Sequence, residues 1–101
     1  MPLYQIRRNV PGAGREDVDA AAFRALVCAI EFPGLEWVES YWDSGRGVIT
    51  CIYEAESREQ VEAHARRSRI ACDEVREVEV IRPDDYVEST LGVTPEQVVN
   101  A

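Results

Sequence analysis

This chain is nearly without histidine: His64 is the only one. It has no Cys-x-x-Cys pair and no histidine pair at helical spacing, which excludes a structural zinc site closed by neighbouring ligands of one chain. Glycine-rich phosphate loops, nucleotide fingerprints and a serine–histidine–aspartate set are all absent, so nucleotide-driven and serine-hydrolase chemistry have no carrier. No apolar run approaches the ~20 residues that cross a bilayer. The start, Met1-Pro2-Leu3-Tyr4-Gln5-Ile6-Arg7-Arg8, lacks the basic-then-apolar order of a secretory signal. Cys28, Cys51 and Cys72 are an odd number of cysteines at wide spacing and make no disulfide framework. These absences lead us to expect a cytoplasmic protein with reduced thiols and no membrane partner. Internal repeats and low-complexity stretches are also missing.

What remains is a chain of 101 residues, enough for one domain around one modest core. A hydrophobic fraction of 46% is that of a folded protein and not of a disordered one. The net charge of −8 comes from acidic residues spread through the chain, which opposes phosphate over most of the surface and excludes nucleic acid as an expected partner. The basic residues cluster at Arg7-Arg8 and at Arg66-Arg67 with Arg69. Two readings stay open for them, a solvated helix face with strand ends, or an anion-binding patch.

Leu3 to Asn9 alternates, with Tyr4 and Ile6 on one side and Gln5 and Arg7 on the other, as a half-buried strand does. Pro11-Gly12-Ala13-Gly14 breaks it. A helix is expected from Arg15 to about Phe32, with Val18, Ala22, Ala25, Leu26 and Ala29 as its apolar stripe, widened by Phe23, Val27 and Ile30. Pro33-Gly34 stops it. Glu36 to Asp43 and Val48 to Ala55 form a hairpin around Ser44-Gly45-Arg46-Gly47. Ser57 and Gln60 start a second helix that runs to about Arg69 with Val61, Ala65 and Ser68 inward. Asp73 to Ile81 is the fourth strand, ended by Pro83-Asp84-Asp85. We therefore divide the chain into a domain of residues 1–83 and a C-terminal extension of residues 84–101. In the extension, Thr94-Pro95-Glu96-Gln97 signals a short helix, and Tyr86, Val87, Leu91, Val93, Val98 and Val99 suggest packing on the body or on a partner.

The order strand, helix, strand, strand, helix, strand is that of a ferredoxin-like α+β domain, a split βαβ with a four-stranded antiparallel sheet and both helices on one face. The other face is then bare. Trp37, Tyr41, Trp42 and Tyr53 all lie on the hairpin, and strict alternation sends Trp37 and Tyr41 to one face and Trp42 to the other. Covering both sets calls for a homodimer through the open face, in the manner of the dimeric α+β barrel, with a ligand pocket at Tyr41, Trp42 and Tyr53.

Chemistry concentrates at Cys51-Ile52-Tyr53-Glu54-Ala55 and at His64. His64 is either a half-buried, hydrogen-bonded imidazole or a ligand or acid–base group titrating near neutrality. Cys51 is either a small core residue or a thiolate donor. Glu54 is either an exposed strand-end carboxylate or a third donor. Cys28, on the polar side of the first helix, and Cys72, at a helix-to-strand corner, have no assigned role.

Cys51-x-Tyr53-x-Ala55, Val61-Glu62-Ala63-His64-Ala65-Arg66-Arg67 and Asp73-Glu74-Val75-x-Glu77-Val78 resemble a bacterial domain-of-unknown-function family of small ferredoxin-like proteins that includes nickel-responsive, nickel-binding members. The likeness spans about Leu3 to Ile81. Where the family pattern has Gly-Leu-Pro after the second helix, this chain has Arg69-Ile70-Ala71-Cys72. The resemblance implies a homodimer and a Ni²⁺ ion as cofactor. Nickel accepts imidazole, carboxylate and thiolate, which makes His64 the expected nitrogen ligand with Glu54 or Cys51 as partners, and two-fold symmetry would double each. Two alternatives stand beside metal binding. One is a small cofactor-independent oxygenase- or isomerase-like enzyme of the dimeric α+β barrel type. The other is a structural interaction module.

Overall fold

A computed structural model describes residues 1–87. The elements are β1 (Leu3–Asn9), α1 (Arg15–Ala29), β2 (Glu36–Asp43), β3 (Val48–Glu54), α2 (Arg58–Ser68), β4 (Glu74–Val78) and a single turn, α3 (Asp84–Val87). The expected helix at Thr94 lies outside the described residues.

The period-two pattern decides the sheet. Tyr4, Ile6 and Arg8 of β1 are buried, as are Ile49, Cys51 and Tyr53 of β3, and the residues between them are not. The strands order as β2-β3-β1-β4 with every neighbouring pair antiparallel. With α1 and α2 against the buried face, this is the ferredoxin-like α+β fold. The core joins Tyr4, Ile6, Cys51, Tyr53 and Val75 of the sheet to Val61 of α2 and to Leu35 and Ala55 of the connections.

Local chemistry sets the ends of the helices. Asp17 Oδ2 accepts from Gly14 N–H at 2.9 Å at the start of α1. Ser57 Oγ accepts from Gln60 N–H at 3.1 Å at the start of α2, and Gln60 Oε1 accepts from Glu56 N–H at 2.9 Å. α1 ends at Ala29, three residues short of Phe32, the end expected from the sequence. Pro33 disfavours helical geometry at Phe32. The chain instead tightens into i→i−3 bonds, with Glu31 N–H to Cys28 O at 3.1 Å and Phe32 N–H to Ala29 O at 3.0 Å. α2 ends with Arg69 in the left-handed region at φ 57°, where its N–H meets the carbonyls of Ala65 and Arg66.

Two side-chain placements differ from strict periodicity. A β-bulge between Trp37 and Glu39 shifts the β2 register, so Trp37 pairs with Tyr53 and Trp42 with Ile49. Both tryptophans therefore lie on the helix side, packed against the core, and Tyr41 alone of the β2 aromatics is on the open face. On α1 the sheet takes only a strip of small residues around Val18, Ala25 and Ala29. Leu26, expected in the inward stripe, and Phe23, Val27 and Ile30, expected to widen it, are 53% to 81% exposed. A helix touches a sheet along an arc of about 100°, and this apolar sector is wider than that.

Candidate functional site

β3 and α2 bring Cys51, Tyr53 and His64 to the helix side of the sheet. His64 is 1% exposed. Its Nε2 lies 2.9 Å from the Ala25 carbonyl, and a carbonyl only accepts, so the proton sits on Nε2. The ring meets Phe32 edge-on at 5.6 Å between centroids and Tyr53 at 5.5 Å. Burial pushes its pKa below 6.5, the Arg8 charge acts in the same direction, and the bond to Ala25 opposes both. His64 is thus a neutral imidazole tying α2 to α1.

Glu54 follows Tyr53 on the strand and so points the other way, to the open face of the sheet. The β2–β3 register makes it the direct cross-strand partner of Glu36. Neither carboxylate has an arginine within 4.0 Å among the described residues. The fold therefore separates Glu54 from Cys51 and His64. Among the described residues no three His, Cys, Asp or Glu side chains gather closely enough to hold a metal ion.

The aromatic residues divide as well. Tyr53 lines a cavity of about 90 Å³ beneath α1, together with Trp37, Ala22, Ala25 and Cys51. Trp37 Nε1–H donates to Ser40 Oγ at 2.8 Å. Trp42 packs on the core with its Nε1–H buried and without a hydrogen-bond partner among the described residues. Tyr41 lies across the sheet, 60% exposed. Of Tyr41, Trp42 and Tyr53, only Tyr53 borders the cavity, and the bulge brings Trp37 there.

Arg8 is the site residue that sequence reasoning passed over. It is 2% exposed. Its Nε donates to Cys51 Sγ at 3.3 Å and its Nη1 to the Ala71 carbonyl at 2.6 Å. The guanidinium carbon lies 5.9 Å from the Tyr53 ring centroid. Burial pushes the Tyr53 phenol up to about 12, with Arg8 opposing. A signal existed, because alternation from Tyr4 and Ile6 puts Arg8 on the inner side. The Arg7-Arg8 doublet hid it. Neither Cys28 nor Cys72 lines the cavity beneath α1; Cys28 Sγ lies 3.8 Å from the Arg67 carbonyl, and burial pushes the Cys72 thiol up.

A family profile described as nickel responsive protein, SCO4226-like, matches residues 4–78. The chain belongs to the SCO4226-like family. The match runs from the second residue of β1 to the last residue of β4, so it takes in all four strands but for Leu3, with α1 and α2, and excludes α3. The crystal structure of SCO4226 from Streptomyces coelicolor A3(2) superposes with a TM-score of 0.72 at 20% identity, covering 79% of this chain and 99% of that one. At that identity the likeness speaks for the SCO4226-like fold and not for its ligands. No curated protein matches the chain. Among the described residues no helix is long and apolar enough to cross a membrane.

Proposed function

We propose that this SCO4226-like chain is a cytoplasmic homodimer that binds a divalent transition metal of the nickel type on the open face of its sheet. The observation that supports it most is the nickel-responsive family assignment over residues 4–78. Donor placement supports the open face over the interior. His64 Nε2 is committed to Ala25, and Cys51 Sγ is occupied by Arg8. Glu36 and Glu54 stand side by side without a cation among the described residues. One protomer offers two carboxylates there, too few for a closed coordination sphere, and a face-to-face dimer would offer four. Leu3, Val48, Ile52 and Val78, half-buried on the same face, give such a dimer apolar surface to cover. Free thiols at Cys28, Cys51 and Cys72 agree with a reducing compartment.

The test is the stabilisation of the folded protein by Ni²⁺. Metal that binds only the folded state raises stability by about 2.7 kcal/mol when free metal is a hundredfold above its dissociation constant. The melting temperature of the parent should rise on adding Ni²⁺, and Glu54→Gln should remove most of the rise. His64→Gln should respond as the parent does. Should His64→Gln lose the response while Glu54→Gln keeps it, the metal sits in the interior and the open-face assignment is wrong.

A further inference from the structure

Several arginines of this acidic chain find carboxylates. Arg7 and Arg76 share Glu74, Arg15 takes Asp19, Arg58 takes Glu62 and Arg67 takes Glu31. Arg8, Arg24, Arg66, Arg69 and Arg82 have no carboxylate within 4.0 Å among the described residues, although carboxylates outnumber arginines in the chain 19 to 11. Of these, Arg8, Arg24 and Arg69 come together. A cavity of about 200 Å³ at the end of α1 is lined by Arg8, Arg24 and Arg69, with Asp17 as its one acidic residue. Asp17 already spends Oδ2 on the Gly14 N–H, at 2.9 Å. This cavity adjoins the one beneath α1, since Arg8, Val18, Ala21, Ile49 and Ile70 line both.

Arg8 is the decisive group. It remains charged at any pH a protein survives. It is 2% exposed, and it meets a cysteine sulfur, a backbone carbonyl and the Tyr53 phenol, with no carboxylate within 4.0 Å among the described residues. A buried guanidinium is ordinarily matched by an anion. On its inner side the wall is apolar, made by Val18, Ala21, Ala22, Ala25, Trp37 and Ile49. The space exists because α1 presents alanines to the sheet where larger residues would fill it.

We propose that the space between α1 and the sheet is a binding site for a small organic carboxylate. Its carboxylate lies against Arg8, with Arg24 and Arg69 at the outer end, and its short apolar body lies against Ala22, Ala25 and Trp37. An inorganic anion would use the arginines and leave the apolar wall bare. A neutral apolar molecule would leave Arg8 unmatched. The planar fork of arginine suits a carboxylate in particular. This site is separate from the open face and needs no metal.

The experiment uses benzoate and butyrate as probes, with benzamide as the neutral control, in buffer containing a chelator. Binding is read by tryptophan fluorescence, since Trp37 borders the cavity, and by melting temperature. Benzoate or butyrate should bind saturably, and benzamide should bind roughly 10- to 100-fold more weakly than benzoate, the loss expected when a charge-assisted hydrogen bond is removed. Arg69→Gly suits the φ of 57° at that position, so the protein should stay as stable or gain stability while its affinity for the acid falls. Ala22→Leu should fill the cavity and abolish binding. The proposal is overturned if neither acid gives a saturable response, if benzoate and benzamide bind alike, or if both variants bind the acid as the parent does.

Discussion

His64 shows how a residue's surroundings decide its chemistry. The same imidazole that would ligate a metal at a surface is held here between Phe32 and Tyr53 with Nε2 bound to Ala25. Its pKa is below 6.5 in the folded state because burial penalises the cation. The sign of the pH effect follows. Above 6.5 both folded and unfolded forms are neutral and the contribution is complete. As pH falls below 6.5 the unfolded chain takes the proton first, so stability is lost until the folded-state pKa is reached. His64→Gln keeps an amide donor for Ala25 and has no such titration. In urea unfolding, the parent midpoint should drop further than the variant's between about pH 7 and about pH 5. Equal slopes would mean that His64 is not the buried neutral group described here. The ambiguity of this residue in the sequence is physical. Helical spacing from Val61 places it at the stripe edge, where burial and exposure both fit, and only the approach of Ala25 from another helix settles it.

At the scale of the element, local signals were legible and cross-element ones were not. β1 and β2 begin and end where alternation and turn residues put them, β3 ends one residue early at Glu54, and α2 starts at the Ser57 cap. β4 is shorter than expected, Glu74–Val78 against 73–81, because its pairing with β1 runs out at Leu3. The bulge after Trp37 was invisible, since one extra residue on a strand leaves composition unchanged and reverses the face of what precedes it. The wide apolar sector of α1 could not be divided into inner and outer halves without knowing that the sheet takes the alanine side. The β2–β3 turn offers a sharper test. Gly47 has φ 66°, and a Cβ there would lie 2.9 Å from Pro11 Cα, 3.3 Å from Pro11 N and 3.4 Å from the Val10 carbonyl oxygen. These are backbone atoms, which do not yield as the end of a flexible side chain does. Gly47→Ala should cost more than about 1 kcal/mol in urea unfolding, from both the positive φ and the collision. A smaller cost would show that the contact between this turn and the chain after β1 is looser than described.

At the scale of the whole molecule, the described residues present two surfaces able to meet another copy. One is the open face of the sheet, with Leu3, Tyr41, Val48, Ile52 and Val78 among charged neighbours. The other is the α1 row of Phe23, Leu26, Val27 and Ile30, at the i, i+3, i+4, i+7 spacing of a docking helix. Their consequences differ. A dimer through the sheet brings the Glu36–Glu54 pairs of two copies together, and a dimer through α1 leaves them apart. Metal binding and assembly are therefore one question. The most direct measurement is native mass spectrometry of tag-free protein titrated with Ni²⁺, on the parent and on Ile52→Glu and Leu26→Glu. Nickel is expected on the dimer only, with loss of both dimer and nickel in Ile52→Glu and a nickel-loaded dimer in Leu26→Glu. Nickel carried equally well by a monomer, or a dimer lost only in Leu26→Glu, would contradict this.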